Sequence, residues 1–191
     1  FAQAMVDSYF SWLEHVLVLL VAFSRFDPRT EDLLKLMRGK WKEKFARIFD
    51  PNADPVAMRV MNSLAVEKDR TRNPLAHGAF EKDPASVHVH MRGVGAIPLK
   101  LSKFGTSIHC SLFPVTDSTF SEICDLFEKA DSFLRSGKMR LPMRYVESGL
   151  SVRFDNEALS EYRSAQKSEA EFDRLLTRIG HLTDACANMD W

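Results

Sequence analysis

Arg72, Asn73 and His77 stand in the stretch Arg72-Asn73-Pro74-Leu75-Ala76-His77-Gly78, and their types and spacing suit work on a phosphodiester. An arginine offers a planar fork of N–H donors that matches phosphate oxygens. A histidine titrates near neutrality and so can take and return a proton. Asn73-Pro74 is a helix-start signal, with asparagine as the N-cap and proline at the first helical position. His77 then falls one turn into the helix on the side of Asn73, where free N–H groups and the positive helix end attract an anion. Gly78 leaves the backbone open to close approach. Capping alone explains Asn73-Pro74, at about 1 kcal/mol, but gives no reason for Arg72 or His77.

Other residues with chemical potential carry less. His88 and His90, two apart on one strand face, are metal ligands in principle, but only His109 is near enough in sequence to join them. A solvated strand face is the favoured reading. Glu14 and His15 mark the wet side of an otherwise apolar helix rather than a catalytic pair. Cys110, Cys124 and Cys186 are an odd count without C-x-x-C spacing, which speaks against a disulfide framework and a zinc site. Cys124 falls on an apolar stripe, where a cysteine is more often core than reactive thiol.

The elements that must position the motif are mostly helical. From residue 3 to 25, Met5, Tyr9, Trp12, Leu13, Val16, Leu17 and Leu20 recur at helical spacing, and Asp27-Pro28 ends the pattern. Val18, Leu19, Val21 and Phe23 leave its second half without a polar face, as in a central core helix or a subunit interface. A second helix, amphipathic and about five turns long, is expected from near Thr30, with Leu33, Met37, Trp41, Phe45 and Ile48 as its stripe. Lys35, Arg38, Lys42 and Lys44 fall off that stripe onto a solvated face. Asp54 caps a third helix with Pro55 at its first position, and its apolar residues Val56, Val60, Met61, Leu64 and Ala65 lead into the motif.

Beyond the motif the period changes to two. Val87, Val89 and Met91 alternate with His88, His90 and Arg92; Ile97 to Leu101, interrupted by Pro98, and Ser107 to Phe113 follow, so a small antiparallel sheet is expected at about 86–113. A capping box at Thr119 to Glu122 predicts a helix from near Thr116, with Phe120, Ile123, Cys124, Phe127, Phe133 and Leu134 at helical spacing and Ser136-Gly137 at its end. Leu150, Val152 and Phe154 alternate and suggest a short strand. Helices around Ala158 to Tyr162 and from Phe172 to Leu182 close the chain. The expected fold class is mainly α, a helical bundle with a small antiparallel β insertion, in a single domain over residues 1–191 without internal repeats.

The totals bound the partners. The chain has 191 residues, 45% of them hydrophobic, and 26 basic against 26 acidic side chains. A non-specific polyanion binder usually carries a basic excess, so any nucleic-acid site must be local. The longest apolar run, Val16 to Phe23, is far short of the ~20 residues that span a bilayer, and Asp7 and Glu14 stand where a signal peptide would be positive. No membrane association and a reducing cytoplasm are therefore expected. The first residue, Phe1, is not a methionine, which fits a segment of a longer or processed chain.

The motif at the end of a third helix, after a long apolar first helix and an amphipathic second one, resembles the HEPN superfamily. Its members carry an R-x(4–6)-H motif, very often with asparagine after the arginine. The resemblance covers roughly residues 3 to 80 by helix order and seven residues by motif. It implies a bundle that forms a homodimer with two motifs facing each other and, in many members, an endoribonuclease that needs neither metal nor other cofactor. Arg72 and His77 would be its catalytic residues, with Asn73 orienting the pair. Such enzymes occur as toxins of toxin–antitoxin pairs, in phage defence and in RNA processing, so RNA and an antitoxin or other protein are the implied partners. The alternative is a non-catalytic HEPN-like dimeric module that binds a partner protein, nucleotide or RNA. Some members carry a tyrosine two residues after the histidine as a target of adenylylation; here Ala79 and then Phe80 follow, which argues against that control.

Overall fold

Alternating demands of burial and capping divide this chain into short elements. A computed structural model describes residues 2–69, 86–93, 95–104, 107–111 and 117–188. Among them, helices are α1 (Ala2–Val21), α2 (Leu33–Arg38), α3 (Trp41–Phe49), α4 (Pro55–Glu67), α5 (Asp117–Leu134), α6 (Arg140–Glu147), α7 (Asn156–Ala165) and α8 (Glu169–Ala187). The strands are β1 (Ser86–Met91), β2 (Gly95–Phe104) and β3 (Ser107–Ser111), so the described chain is mainly helical. Its contacts fall into two units, Phe1–Ser11 with Asn62–Lys129, and Trp12–Met61 with Ala130–Trp191.

In the larger unit, α1 supplies Leu13, Val16, Leu17, Leu20 and Val21 to the core, while Val18 and Leu19 are half-buried. The helix ends at Val21, earlier than Asp27-Pro28 suggests. Ala22, Phe23 and Ser24 turn their N–H groups onto carbonyls three residues back, which tightens the chain out of the α geometry. Beyond that turn, the end of α7 supplies donors: Gln166 Nε2, at its C-cap, donates to Phe23 O at 3.1 Å, and the Arg163 guanidinium donates to Phe26 O. Phe23 then stacks on Tyr162 with ring centroids 4.6 Å apart and lies 5.3 Å from Tyr145. By length and composition alone, Ala4–Val21 is apolar enough to cross a bilayer, a property the eight-residue run Val16 to Phe23 understates. Short polar interruptions such as Asp7 and Glu14 do not lower the average of a longer window enough to exclude it.

The five-turn second helix expected from near Thr30 is two helices. Asp32 caps α2 by accepting from Leu34 N at 2.8 Å and Lys35 N at 3.2 Å. Gly39 ends it in an extended conformation, and Lys40, also extended, starts α3 with its N–H on Glu43 Oε2 at 3.3 Å. A Cβ at Gly39 would meet that carboxylate at 2.8 Å and Leu36 O at 3.1 Å, so the break uses the one residue without a side chain. The new start also resets the buried face. On α3 it comprises Trp41, Lys44, Phe45, Ile48 and Phe49, whereas α2 buries nothing. Phe45 and Phe49 pack on Phe133, with centroids 6.0 and 4.9 Å away.

Lys44 is therefore not on a solvated face. It is 4% exposed, and its Nζ lies 3.7 Å from Glu14 Oε2. Taking a charge out of water is costly and a pair this long repays little of it. Lys44→Met is expected to leave stability unchanged or raise it. Glu14→Ala, which strips the lysine of its counter-charge, should instead cost about 1–2 kcal/mol. Urea unfolding of the two variants measures the contrast.

Arg47 on α3 reaches back to Glu31 with three N–O distances between 2.7 and 3.0 Å, and Glu31 also accepts from Asp27 N. The Arg47 hydrogen bonds hold the Glu31 carboxyl below its usual range against the opposing effect of burial, with the Asp27 N–H and the Arg47 charge adding to them. A carboxylate with a lowered folded value stabilises the fold above its unfolded pKa, and that contribution disappears as pH falls through the folded value. Wild type should thus exceed Glu31→Gln in stability at neutral pH, and the gap should shrink below the ordinary glutamate pKa of about 4.3. Thermal melts across this range check the sign.

Asp54 caps α4, accepting from Val56 N at 2.8 Å and Ala57 N at 3.3 Å, with Pro55 at the first helical position. Val56 is nonetheless exposed, and Ala57 and Leu64 carry the buried face. Helix α5 begins at Asp117, ahead of the Thr119 box, so Thr119 is already helical. Cys124 on α5 is only half-buried. No strand forms at 150–154. That segment is instead tied by tyrosines: Tyr145 OH donates to Ser151 O at 3.1 Å, and Arg153 N donates to Tyr162 OH at 3.1 Å. Burial, then the neighbouring Tyr162 hydroxyl, push the Tyr145 hydroxyl well above its ordinary value, consistent with its donating role. Asp155 and Ser168 cap α7 and α8.

In the smaller unit, β2 pairs antiparallel with β1 and with β3. Pro98 stands opposite His88, in the part of β2 that β3 does not reach, since β3 pairs only from Lys100 onward. A residue without an N–H is tolerated where a strand has one neighbour. The turn after β1 uses Gly93 with φ +83°, a conformation that suits glycine.

Candidate functional site

Arg72, Asn73 and His77 lie outside the described residues, as do the kink and restart expected around Asn73-Pro74. What can be built from the residues upward is the stem from which the motif departs. Leu64 is fully buried and Ala65 7% exposed, so the last turns of α4 are fixed by packing. Glu67, at the end of α4, is also 7% exposed. Lys68 and Asp69 follow in a wider π turn. Such turns interrupt the regular ladder and recur at functional places in helices.

An aromatic group steadies this end of the helix within the same unit. Lys68 Nζ lies 5.1 Å above the centre of the Phe10 ring, a cation on the negative face of an aromatic. Phe10, fully buried, meets Phe127 edge-on at 6.2 Å. Tyr9 stacks flat on Phe127 at 3.7 Å, and its hydroxyl donates to Phe127 O at 3.5 Å. Lys68 also places positive charge just beyond the negative end of α4, a favourable dipole interaction. Residue by residue, Tyr9 and Phe10 of α1 and Phe127 of α5 thereby hold the end of α4 at Lys68.

Two charged residues escaped the reading by spacing. Glu67 sits three after Leu64 and Lys44 three after Trp41, so each occupies an apolar stripe position. That coincidence of charge and stripe was the available signal. Glu67 is a buried carboxylate five residues before Arg72, and a buried carboxylate must be met by hydrogen bonds or opposite charge.

The histidines of the sheet are spread by register. His88 stands opposite Pro98 and His90 opposite Ala96, whereas His109 stands opposite Ser102 on the far side of β2. Pro98 and Ser102 are about 13 Å apart along the strand, and β2 adds two strand spacings of about 4.8 Å, so the backbones do not bring His88 and His109 together. His90 is exposed. Among the described residues, no group of three or more His, Cys, Asp or Glu side chains is arranged to hold a metal ion. The chain matches no family model, no curated protein and no solved structure.

Proposed function

We propose that the protein is a metal-independent endoribonuclease of HEPN type, acting as a dimer, in the manner of a toxin or phage-defence effector. The observation that carries this reading is the sequence Arg72-Asn73-Pro74-Leu75-Ala76-His77-Gly78, which follows in the chain on the fourth helix, α4, whose end is buried and braced. The helical bundle with a strand-bearing insertion belongs to the same proposal.

The chemistry follows from the residue types. A ribose 2′-hydroxyl attacks the adjacent phosphorus; the O2′–P bond forms and the P–O5′ bond breaks. His77 takes the proton from the 2′-hydroxyl and returns it to the departing 5′-oxygen, which yields a 2′,3′-cyclic phosphate and a 5′-hydroxyl with the histidine restored. Arg72 stabilises the charge that builds on the phosphoryl oxygens. Asn73 caps the helix whose positive end faces the same anion.

The equal count of 26 basic and 26 acidic side chains favours a second reading, a dimeric module that binds a protein, nucleotide or RNA without cleaving it. The two separate in one assay. Purified protein is incubated with unstructured RNA in EDTA beside the Arg72→Ala and His77→Ala variants. Cleavage by wild type alone supports the ribonuclease; a folded, dimeric and inert protein supports the module. A monomer at micromolar concentration contradicts the composite two-motif site in either case.

A further inference from the structure

Helix α2 is anomalous for a folded chain. Its sequence, Leu33-Leu34-Lys35-Leu36-Met37-Arg38, is two-thirds apolar, yet none of the six residues is buried. Leu34 is 62% exposed and Met37 47%. A helix this short has no stability of its own in water. Here it is held by its ends: Asp32 caps the start, and the Gly39 N–H returns to Lys35 O and Leu36 O. The caps fix an apolar strip facing solvent, a conformation prepared before anything binds.

The charge around this strip is one-sided in what it leaves available. The three nearby carboxylates are engaged within the chain: Glu31 by Arg47, Asp32 by the start of α2 and Glu43 by Lys40 N. Lys35, Arg38, Lys40 and Lys42 are all exposed, and none forms an ion pair with a described carboxylate. Beside the helix runs a groove of ≈ 360 Å³ whose lining includes these three carboxylates, Glu31, Asp32 and Glu43, together with Lys35, Lys44 and Arg47. A second hollow of ≈ 490 Å³, lined in part by Phe26, Leu33 and Phe154, lies on the other side of the 30–32 segment.

We infer that α2 and the groove beside it form the docking surface for an acidic amphipathic helix of a partner protein. Exposed Leu34 and Met37 call for apolar side chains, and the four cations call for carboxylates flanking them. An amphipathic helix carries both at i, i+3, i+4 and i+7 spacing. The relief selects against the other polyanions. A bilayer surface is flat and does not fill a groove, and RNA offers phosphates but no aliphatic side chains for Leu34 and Met37. The inference is independent of the ribonuclease reading, since it uses no residue of the motif.

The test uses the full chain and a display library of 16-residue helical peptides with leucine fixed at i, i+3, i+4 and i+7 and Glu or Lys randomised between them. Selection on wild type should enrich Glu at the flanking positions, and a synthetic all-Glu member should bind in a salt-dependent way. Lys35→Glu/Arg38→Glu and Leu34→Asp, both at exposed positions, should each weaken binding by at least tenfold while far-UV circular dichroism and melting stay at wild-type values. Absence of Glu enrichment, or binding that ignores these substitutions, overturns the proposal. Binding to phosphatidylserine vesicles or to single-stranded RNA that needs Leu34 and Met37, in place of the peptide, overturns it equally and reassigns the surface.

Discussion

His77→Ala should lower the rate of RNA cleavage by about 10²–10⁴-fold while leaving the fold intact, because a positioned general acid–base contributes on that scale. Arg72→Ala should lose about 10²–10³-fold, the usual consequence of removing one donor that stabilises transition-state charge. The two losses should not multiply, since each residue acts on the same phosphoryl transfer and the remaining one cannot complete it alone. Arg72→Lys distinguishes charge from geometry: a lysine keeps the charge but not the planar fork, so most of the loss should remain. Single-turnover cleavage of a short fluorescent RNA in EDTA reads all three. If His77→Ala kept wild-type rates, the residue would be a packing or capping histidine and the mechanism would fall.

The second large effect is structural and falls on the stem. Phe10 is fully buried, meets Phe127 and lies beneath Lys68. Phe10→Ala removes that ring and leaves a cavity, which costs about 3–5 kcal/mol, whereas Phe10→Leu refills most of the space and costs about 1–2 kcal/mol. For a chain of this size the alanine variant should melt roughly 6–20 °C lower. Differential scanning calorimetry tests the order of the three proteins. Lys68→Met, which keeps the aliphatic stem and removes only the charge over the ring, should cost about 0.5–1 kcal/mol.

How far the sequence foretold this arrangement depends on which force decided each element. Caps are legible because they act locally: Asp54 starts α4 by accepting from Val56 N and Ala57 N, and nothing distant intervenes. The long apolar stripe of α1 was legible for the same reason, although its end was not. Past Val21 the chain tightens, and Gln166 and Arg163, more than a hundred residues away, donate to Phe23 O and Phe26 O, which no local signal announces. The break at Gly39 was hidden by a stripe that continues in register through it. A glycine inside an amphipathic pattern weighs little until Glu43 is seen folding back over it. Lys44, three residues after Trp41, lies inward because the buried face of α3 is wider than that stripe and takes in Lys44 and Phe49 as well.

At 150–154 an alternating pattern suggested a strand, yet the hydrogen bonds that a neighbouring strand would supply come from Tyr145 and Tyr162. Alternation reports which side chains are buried, not what pairs the backbone. The candidate site is the reverse case. Its residues are named by sequence alone, through the combination of Arg72, Asn73 and His77, which lie outside the described residues; the described structure contributes the buried end of α4, the π turn at Lys68 and Asp69, and the Phe10–Phe127 contact next to Lys68.

The central claim concerns how the phosphodiester is broken, and end-group analysis of the cleaved RNA tests it most directly. RNA cut by the purified protein in EDTA is treated with a phosphatase before and after acid opening of cyclic phosphates, beside an otherwise identical strand with every 2′-hydroxyl removed. Ends bearing a 2′,3′-cyclic phosphate and a 5′-hydroxyl are expected, with no cleavage of the 2′-deoxy strand. Ends bearing a 3′-hydroxyl and a 5′-phosphate, or cleavage that appears only with added metal or proceeds on the 2′-deoxy strand, would contradict that claim.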